Sequence, residues 1–346
     1  MKPLTERQFK ILEFIKTVGR AKNKQITEYF GGFSRLTIIR DINVLLKFDL
    51  IERKGKGRSV FYQEKIDQEF LKYINIDNYF LLDTDKRFIS FPMFNFNVFK
   101  MKKAFSIKEV QELKNLNSNY QKQTSALSKK DLKKELERLS IELSWKSSKI
   151  EGNTYSLIDT EILIKESKEA IGHKKEEAIM ILNHKKTIDY IIDTRSNFKK
   201  LTLGKIESIH SLIVDDLDIE KGIRQRPVGI IGTKYMPLDN QHQIREVMEK
   251  MIKMINRTKD PFSKAVFTVA ILSYIQPFID GNKRTARLLG NAVLLAFNIC
   301  PLSYRSVDES EYKKSIILFY EQNNLRLFKD LFVEQFKFSI KNYFFG

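Results

Sequence analysis

Apolar positions recur with a helical period through most of the chain, and the period breaks at a few points marked by glycine and proline. Near the start, Ile11, Leu12, Ile15 and Val18 fall close to one side of a helix that Thr5 can cap. Residues 24–30 predict a second, short helix that stops at Gly31-Gly32. Ser34 then caps a third over residues 35–46, with Leu36, Ile39, Ile42 and Leu46 mostly on its apolar side. After Leu50-Ile51 the segment ERKGKGRSVFYQ reads as two short extended runs around a basic, glycine-containing turn. Residues 66–108 lose the period. YFLLDTDKRFISFPMFNFNVF is dense in aromatics and interrupted by Pro92, and such a strip left exposed invites aggregation. It is read as a packed connector or a dimer surface. Residues 109–346 regain the helical period, most strongly in LKKELERLSIEL and IREVMEKMIKMI, and no internal repeat is evident.

With 346 residues, 42% of them hydrophobic, the chain can build two domains or three. The single cysteine, Cys300, excludes an intramolecular disulfide framework and a cysteine-rich zinc module, and the four histidines show no zinc-ligand spacing. No run of about 18 apolar residues predicts a transmembrane helix, and MKPLTERQFKILEF lacks the pattern of a secretory signal. The expected setting is cytoplasmic, without a membrane partner. A formal charge of +18 and a pI near 9.6 fit two readings, a polyanion partner or a solvated basic surface drawn from a composition rich in Lys, Ile, Asn and Phe. Position adds information: residues 1–65 hold fifteen Lys or Arg against seven Asp or Glu.

Three helices followed by a basic hairpin resemble a winged helix-turn-helix domain over residues 1–65, with SRLTIIRDINVLL as its recognition helix and KGKGRSVFY as its wing. A helix with exposed polar residues at its start can enter the major groove of double-stranded DNA while wing cations reach phosphates. On that reading Arg35, Thr37 and Arg40 contact DNA, and Lys54, Lys56 and Arg58 contact phosphates. The same fold also serves protein contacts.

The stretch richest in chemistry is IQPFIDGNKRTAR, residues 275–287, between the apolar helices AVFTVAILSYI and LLGNAVLLAF. Pro277 ends the first and the Gly281-Asn282 turn opens the second, so backbone N–H groups and a positive helix end point at one place. Arg284 and Arg287, three apart, can converge on one ligand, and Asp280 can hold a divalent cation that shares phosphate oxygens. These parts together suit a polyphosphate.

This segment resembles the signature of the Fic family, His-Pro-Phe-x-Asp/Glu-Gly-Asn-Gly/Lys-Arg-x-x-Arg, whose members commonly transfer AMP from ATP to a protein hydroxyl. The resemblance implies a mainly α, helical Fic fold with a small β-hairpin flap over residues 109–346. It implies Mg²⁺ at Asp280, an anion hole at Gly281 and Asn282, phosphate contacts from Lys283, Arg284 and Arg287, and a buried Phe278. SSKIEGN, residues 147–153, resembles the family's inhibitory motif, which implies that Glu151, with Ser147 at the motif's start, pairs with Arg287 and displaces a γ-phosphate contact. Gly222-Ile223-Arg224 and the following VGIIGTKYMPL resemble the flap that aligns a target protein segment, with Ile230, Ile231 and Tyr235 as clamps or as plain strand residues. Tyr312 falls where the family often has a tyrosine pair near adenine, but the next residue is Lys313; His210 fits a family helix as a structural residue.

One position departs. Gln276 stands where the family has its general-base histidine, and a neutral amide has no pKa near neutrality with which to accept the hydroxyl proton. The sequence therefore supports an AMP transferase of weak or lost activity, with a DNA-binding regulator whose Fic region binds nucleotide without reacting as the alternative.

Overall fold

The structure, a computed structural model, describes residues 4–65 and 69–344. The chain divides into two compact units, Met1–Arg87 and Phe88–Gly346, so the boundary falls inside the aromatic-rich stretch 66–108.

In the first unit, α1 (Glu6–Val18) opens with a reciprocal cap: the Thr5 hydroxyl accepts from Gln8 N–H while the Gln8 side chain accepts from Thr5 N–H. It is followed by α2 (Asn23–Tyr29), α3 (Arg35–Lys47), capped by Ser34, the antiparallel pair β1 (Ile51–Lys54) and β2 (Phe61–Glu64), and α4 (Ile76–Leu81). Ile11, Leu12 and Ile15 pack with Ile26, Ile38, Ile42 and Leu45 in one core. Two expected core positions lie outside it: Val18 is 46% and Leu36 68% exposed, and the buried stripe of α3 runs through Ile38, Ile42 and Leu45. Apolar residues surround α3, so its own period could not choose a face. Packing against α1 chose it, along with buried Asp41, which accepts from Arg7 and Gln8 of α1.

The second unit is helical: α5 (Ile107–Ala126), α6 (Lys129–Ile150), α7 (Leu157–Glu166), α8 (Lys175–Asp193), α9 (Leu203–Ile213), α10 (Gln241–Arg257), α11 (Pro261–Ile275), α12 (Asn282–Ala296), α13 (Glu309–Gln322) and α14 (Arg326–Asn342). The centre is α11 and α12, both buried along nearly their whole length and packed on each other. Around them pack α6, α8, α9 and α13, of which α6, at its C-terminal end, and α13 line the site. No helix among the described residues is long and apolar enough to cross a membrane.

The aromatic stretch is divided in its environment. Phe94 is buried against Tyr274, with ring centroids 4.8 Å apart, whereas Phe88 and Met93 are 79% and 64% exposed. The flap differs from the expected hairpin. Among the described residues between 222 and 240 there is no strand ladder, only a single bridge from Met236 to Met93. Pro227, Gly229, Gly232 and Pro237 punctuate this segment, and proline cannot donate to a ladder.

Candidate functional site

The six residues between α11 and α12 form a loop held by its own side chains. Asn282 brackets Phe278, accepting from its N–H at 2.9 Å and donating to its carbonyl at 2.8 Å. Phe278 is fully buried and stacks on His210, centroids 3.7 Å apart. His210 donates from Nε2 to the Asp280 carbonyl at 3.0 Å, and burial pushes its pKa down to about 4, so the ring is neutral. Gly281 has φ 76°, and a Cβ there would meet Val214 at 3.2 Å and Ile213 at 3.4 Å, so both conformation and space call for glycine. The Asn282 side chain is thus a brace for the loop, and the first N–H groups of α12, which have no intrahelical acceptor, are the backbone groups here that could receive an anion.

Above the loop lies a cavity of about 370 Å³ whose wall includes Gln276, Asp280, Gly281, Asn282, Lys283, Arg284 and Glu151. Arg284 is 2% exposed; Nη2 donates to Asp280 Oδ2 at 3.2 Å, and Nη1 has no protein partner. Burial works against its charge and lowers its pKa, with Asp280 and Glu151 opposing.

Arg287 is placed differently from its expected contact with a ligand. It is fully buried behind the cavity wall, not on it, and its guanidinium is committed to α6 and the residue that ends it. Nε donates to Ser147 Oγ, Nη2 to the Ser147 carbonyl and Nη1 to Glu151 Oε1, each at 2.8 Å, and the group sits 5.1 Å from the Tyr312 ring centroid. Ser147 and Glu151 reach it together because they lie four apart on one helical face. Lys283 adds a second cation, 3.7 Å from Glu151 Oε2. Burial alone would raise the Glu151 pKa; Arg287 and then Lys283 outweigh it and hold the carboxyl below its usual range.

Gln276 caps α11 in the left-handed region, φ 51°, and is 7% exposed. Both of its amide hydrogens are used, toward the Ser273 carbonyl at 2.6 Å and Tyr320 OH at 3.2 Å, which leaves the side-chain oxygen as an acceptor. Asp280 accepts from Gly281 N–H at 2.6 Å and from Arg284, with its carboxyl 64% exposed. No group of three or more His, Cys, Asp or Glu suited to a metal occurs among the described residues. One exposed carboxylate beside this cavity nevertheless fits Mg²⁺, which takes its remaining ligands from phosphates and water.

Ile230 and the 99% exposed Ile231 border the cavity from the flap. Tyr235 does not face an incoming segment. It is buried, stacked on Tyr274 with centroids 4.5 Å apart, and donates to the Tyr274 carbonyl at 2.8 Å. Sequence reasoning missed what Arg224 does. Its buried guanidinium donates to the carbonyls of Gln276 (2.8 Å), Arg226 (2.7 Å) and Leu238, stapling both arms of the flap to the loop. Nothing in the sequence hinted at it, because backbone acceptors leave no sequence signal.

In the first unit, Arg35, Arg40, Lys54 and Lys56 are exposed. Thr37 is half-buried with its hydroxyl 3.0 Å from that of Ser34, and Lys54 pairs with Glu52 at 2.8 Å. The Arg58 side chain lies outside the described residues.

Comparison with known proteins bears on this site directly, since the Fic/DOC family model matches residues 200–294. Residues 200–294 are a Fic/DOC domain. The Fic domain so defined contains His210, Arg224, Gln276 and the 280–287 cations, while Ser147, Glu151, Tyr312 and Tyr320 reach the site from outside it. A protein adenylyltransferase Fic from Nematostella vectensis is 29% identical over 175 residues, 48% of this chain and 40% of that protein. Protein adenylyltransferase fic-1 of Caenorhabditis elegans is 22% identical over 172 residues, covering 48% of this chain and 34% of the relative. The chain thus spans less than half the length of these curated relatives. Among solved structures, C. elegans Fic-1 (residues 134–508) superposes with TM-score 0.60 at 20% identity, covering 68% of this chain and 70% of that one. A Fic domain containing signaling protein from Bacteroides thetaiotaomicron superposes with TM-score 0.57 at 21% identity, covering 66% and 94%. The mainly helical architecture is therefore that of Fic proteins.

Proposed function

We propose that the second unit binds a nucleoside triphosphate, ATP by analogy with the adenylyltransferase relatives, in the cavity above residues 276–284, and that its architecture is that of AMP transfer to a protein hydroxyl. The observation that carries this reading is the pair of buried guanidiniums on α12, one on the cavity wall with an unpartnered nitrogen and the other withheld by Glu151 and Ser147. Anion recognition falls to Arg284, Lys283 and the start of α12. Asp280 would hold the magnesium ion, which when bound neutralises phosphate charge. Glu151 occupies the cation that a third phosphate needs, so this state is autoinhibited. Ile230 and Ile231 border the path of the target segment.

In the transfer, the target hydroxyl oxygen bonds to the α-phosphorus, the bond to the bridging oxygen breaks, pyrophosphate leaves, and a base must take the hydroxyl proton. Gln276 cannot take it; it can only accept a hydrogen bond from the hydroxyl. Positioning and charge neutralisation survive, since phosphoryl transfer draws most of its catalysis from them. Activity is accordingly weak or lost. A second reading is favoured by the two hydrogen bonds of the Gln276 amide: the residue is integrated into its surroundings, as suits a nucleotide-binding regulator without transfer chemistry. In either case the first unit, which resembles a winged helix, binds double-stranded DNA through Arg35, Thr37 and Arg40 with Lys54, Lys56 and Arg58 on phosphates.

ATP calorimetry beside AMP labelling of target lysate, for the parent chain and Gln276→His, tests both readings. Binding with labelling restored by histidine supports a transferase scaffold. Binding with silence in both variants supports the regulator. Absence of ATP binding in any variant, Glu151→Gly included, overturns the nucleotide site.

A further inference from the structure

We infer that Lys313 is a specificity-determining residue that turns this cavity toward nucleotides with a keto group at C6 of the purine, hypoxanthine and guanine over adenine; the inference rests on reading the cavity as a nucleotide site. The cavity has two chemically distinct sides. Lys283, Arg284 and the start of α12 form the anionic-ligand side. A second wall is one stripe of α13: Lys313, Ile316, Ile317 and Tyr320 follow at i, i+3, i+4 and i+7 and all line the cavity. A Cβ on Gly232 of the flap would lie 3.4 Å from Ile317 Cδ1, so the flap comes close over this stripe and forms an aliphatic slot. A slot of that kind suits a flat base, and its polar groups decide which base.

The polar choices along the stripe are few. Tyr320 OH already accepts from Gln276, and Tyr312, one residue before Lys313, turns its ring to Arg287. Lys313 is exposed and makes no ion pair among the described residues; Glu309, one turn earlier on α13, is taken by Lys146. An ammonium group donates and cannot accept. It opposes the N6 amino donor of adenine and matches the O6 acceptor of hypoxanthine or guanine. The transfer chemistry at the α-phosphorus is indifferent to the base, so ATP remains a ligand, but a weaker one.

The test compares inosine triphosphate with ATP, which differ by a C6 carbonyl beside N1–H in place of a C6 amino group beside an unprotonated N1, together with GTP, by calorimetry on the full chain carrying Glu151→Gly. Inosine triphosphate and GTP are expected to bind about five- to tenfold more tightly than ATP, the scale of one partly solvated charged hydrogen bond. Lys313→Met should bring the ratio to about one, and Lys313→Glu, an acceptor, should reverse the order. ATP binding equal to or tighter than inosine triphosphate overturns the inference while leaving the nucleotide site intact. So does a Lys313→Met effect equal for all three nucleotides, which would make Lys313 a phosphate contact. If none of the three binds, the nucleotide reading itself fails, and this inference with it.

Discussion

The two units use the same residue types in opposite ways. The first keeps its candidate cations in water: Arg35, Arg40, Lys54 and Lys56 are all exposed. The second buries its decisive cations, with Arg224 and Arg284 at 2% exposure and Arg287 at none, each held by named oxygens. Exposed cations act by number and are screened by salt, whereas a buried guanidinium is costly unless every bond is placed. The excess of fifteen Lys or Arg over seven Asp or Glu in residues 1–65 therefore informs on partners of the first unit, and the geometry of three arginines informs on the chemistry of the second.

The sharpest way to break this contrast is Gln276→His in a Glu151→Gly background. Supplying a base to a site already organised by buried charge should raise AMP transfer by about 10² to 10⁴. No rise, measured with labelled ATP, would mean that the buried cations do not organise a reacting phosphate.

Acid sensitivity comes next, and it belongs to the second unit, which contains all four histidines. His210 and His184 are both depressed by burial, His210 to about 4 and His184 well below 6.5 with Arg287 and Arg284 contributing. Their folded-state pKa values lie below the unfolded one. The stability they contribute is complete above pH 6.5 and is lost as pH falls below it, for His210 down to about 4. For His210 the loss is about 1.4 kcal/mol per pH unit across that window, roughly 3 kcal/mol in all. Denaturant midpoints at pH 7.5, 6 and 5 that do not move would contradict the buried neutral rings.

Arg284→Gln should weaken ATP binding roughly 10- to 100-fold, the scale of one or two charged hydrogen bonds, with little change when salt is raised. The smallest effect is expected in the first unit. Lys54→Gln with Lys56→Gln should flatten the log–log salt dependence of duplex DNA binding by roughly 0.9 per lost phosphate contact. An unchanged slope in a fluorescence-anisotropy titration would remove these residues from the DNA surface.

Legibility in the sequence followed the reach of each interaction along the chain. Caps such as Thr5 and Ser34, and the ends of α11 and α12 around Pro277 and Gly281, depend on neighbours within a few residues and could be read directly. The buried face of α3 could not, because apolar residues encircle it and a partner helix selects Ile38 and Leu45 over Leu36. Tyr235 looked like a clamp on a flap strand; a tyrosine stack draws it inward, and prolines and glycines leave no ladder for it to sit on. The Arg287–Glu151 pair joins positions 136 residues apart, so only a resemblance could propose it. The Arg224 staple binds carbonyls that every residue possesses, and no pattern could have announced it.

The central claim is that Glu151 withholds from a nucleotide the cation that Arg287 would offer. Calorimetric titration of ATP into the parent chain and into Glu151→Gly tests it most directly. Tighter binding by about tenfold or more in the variant, in keeping with one released charged contact, is the expected result. Equal affinity in the two proteins would contradict it.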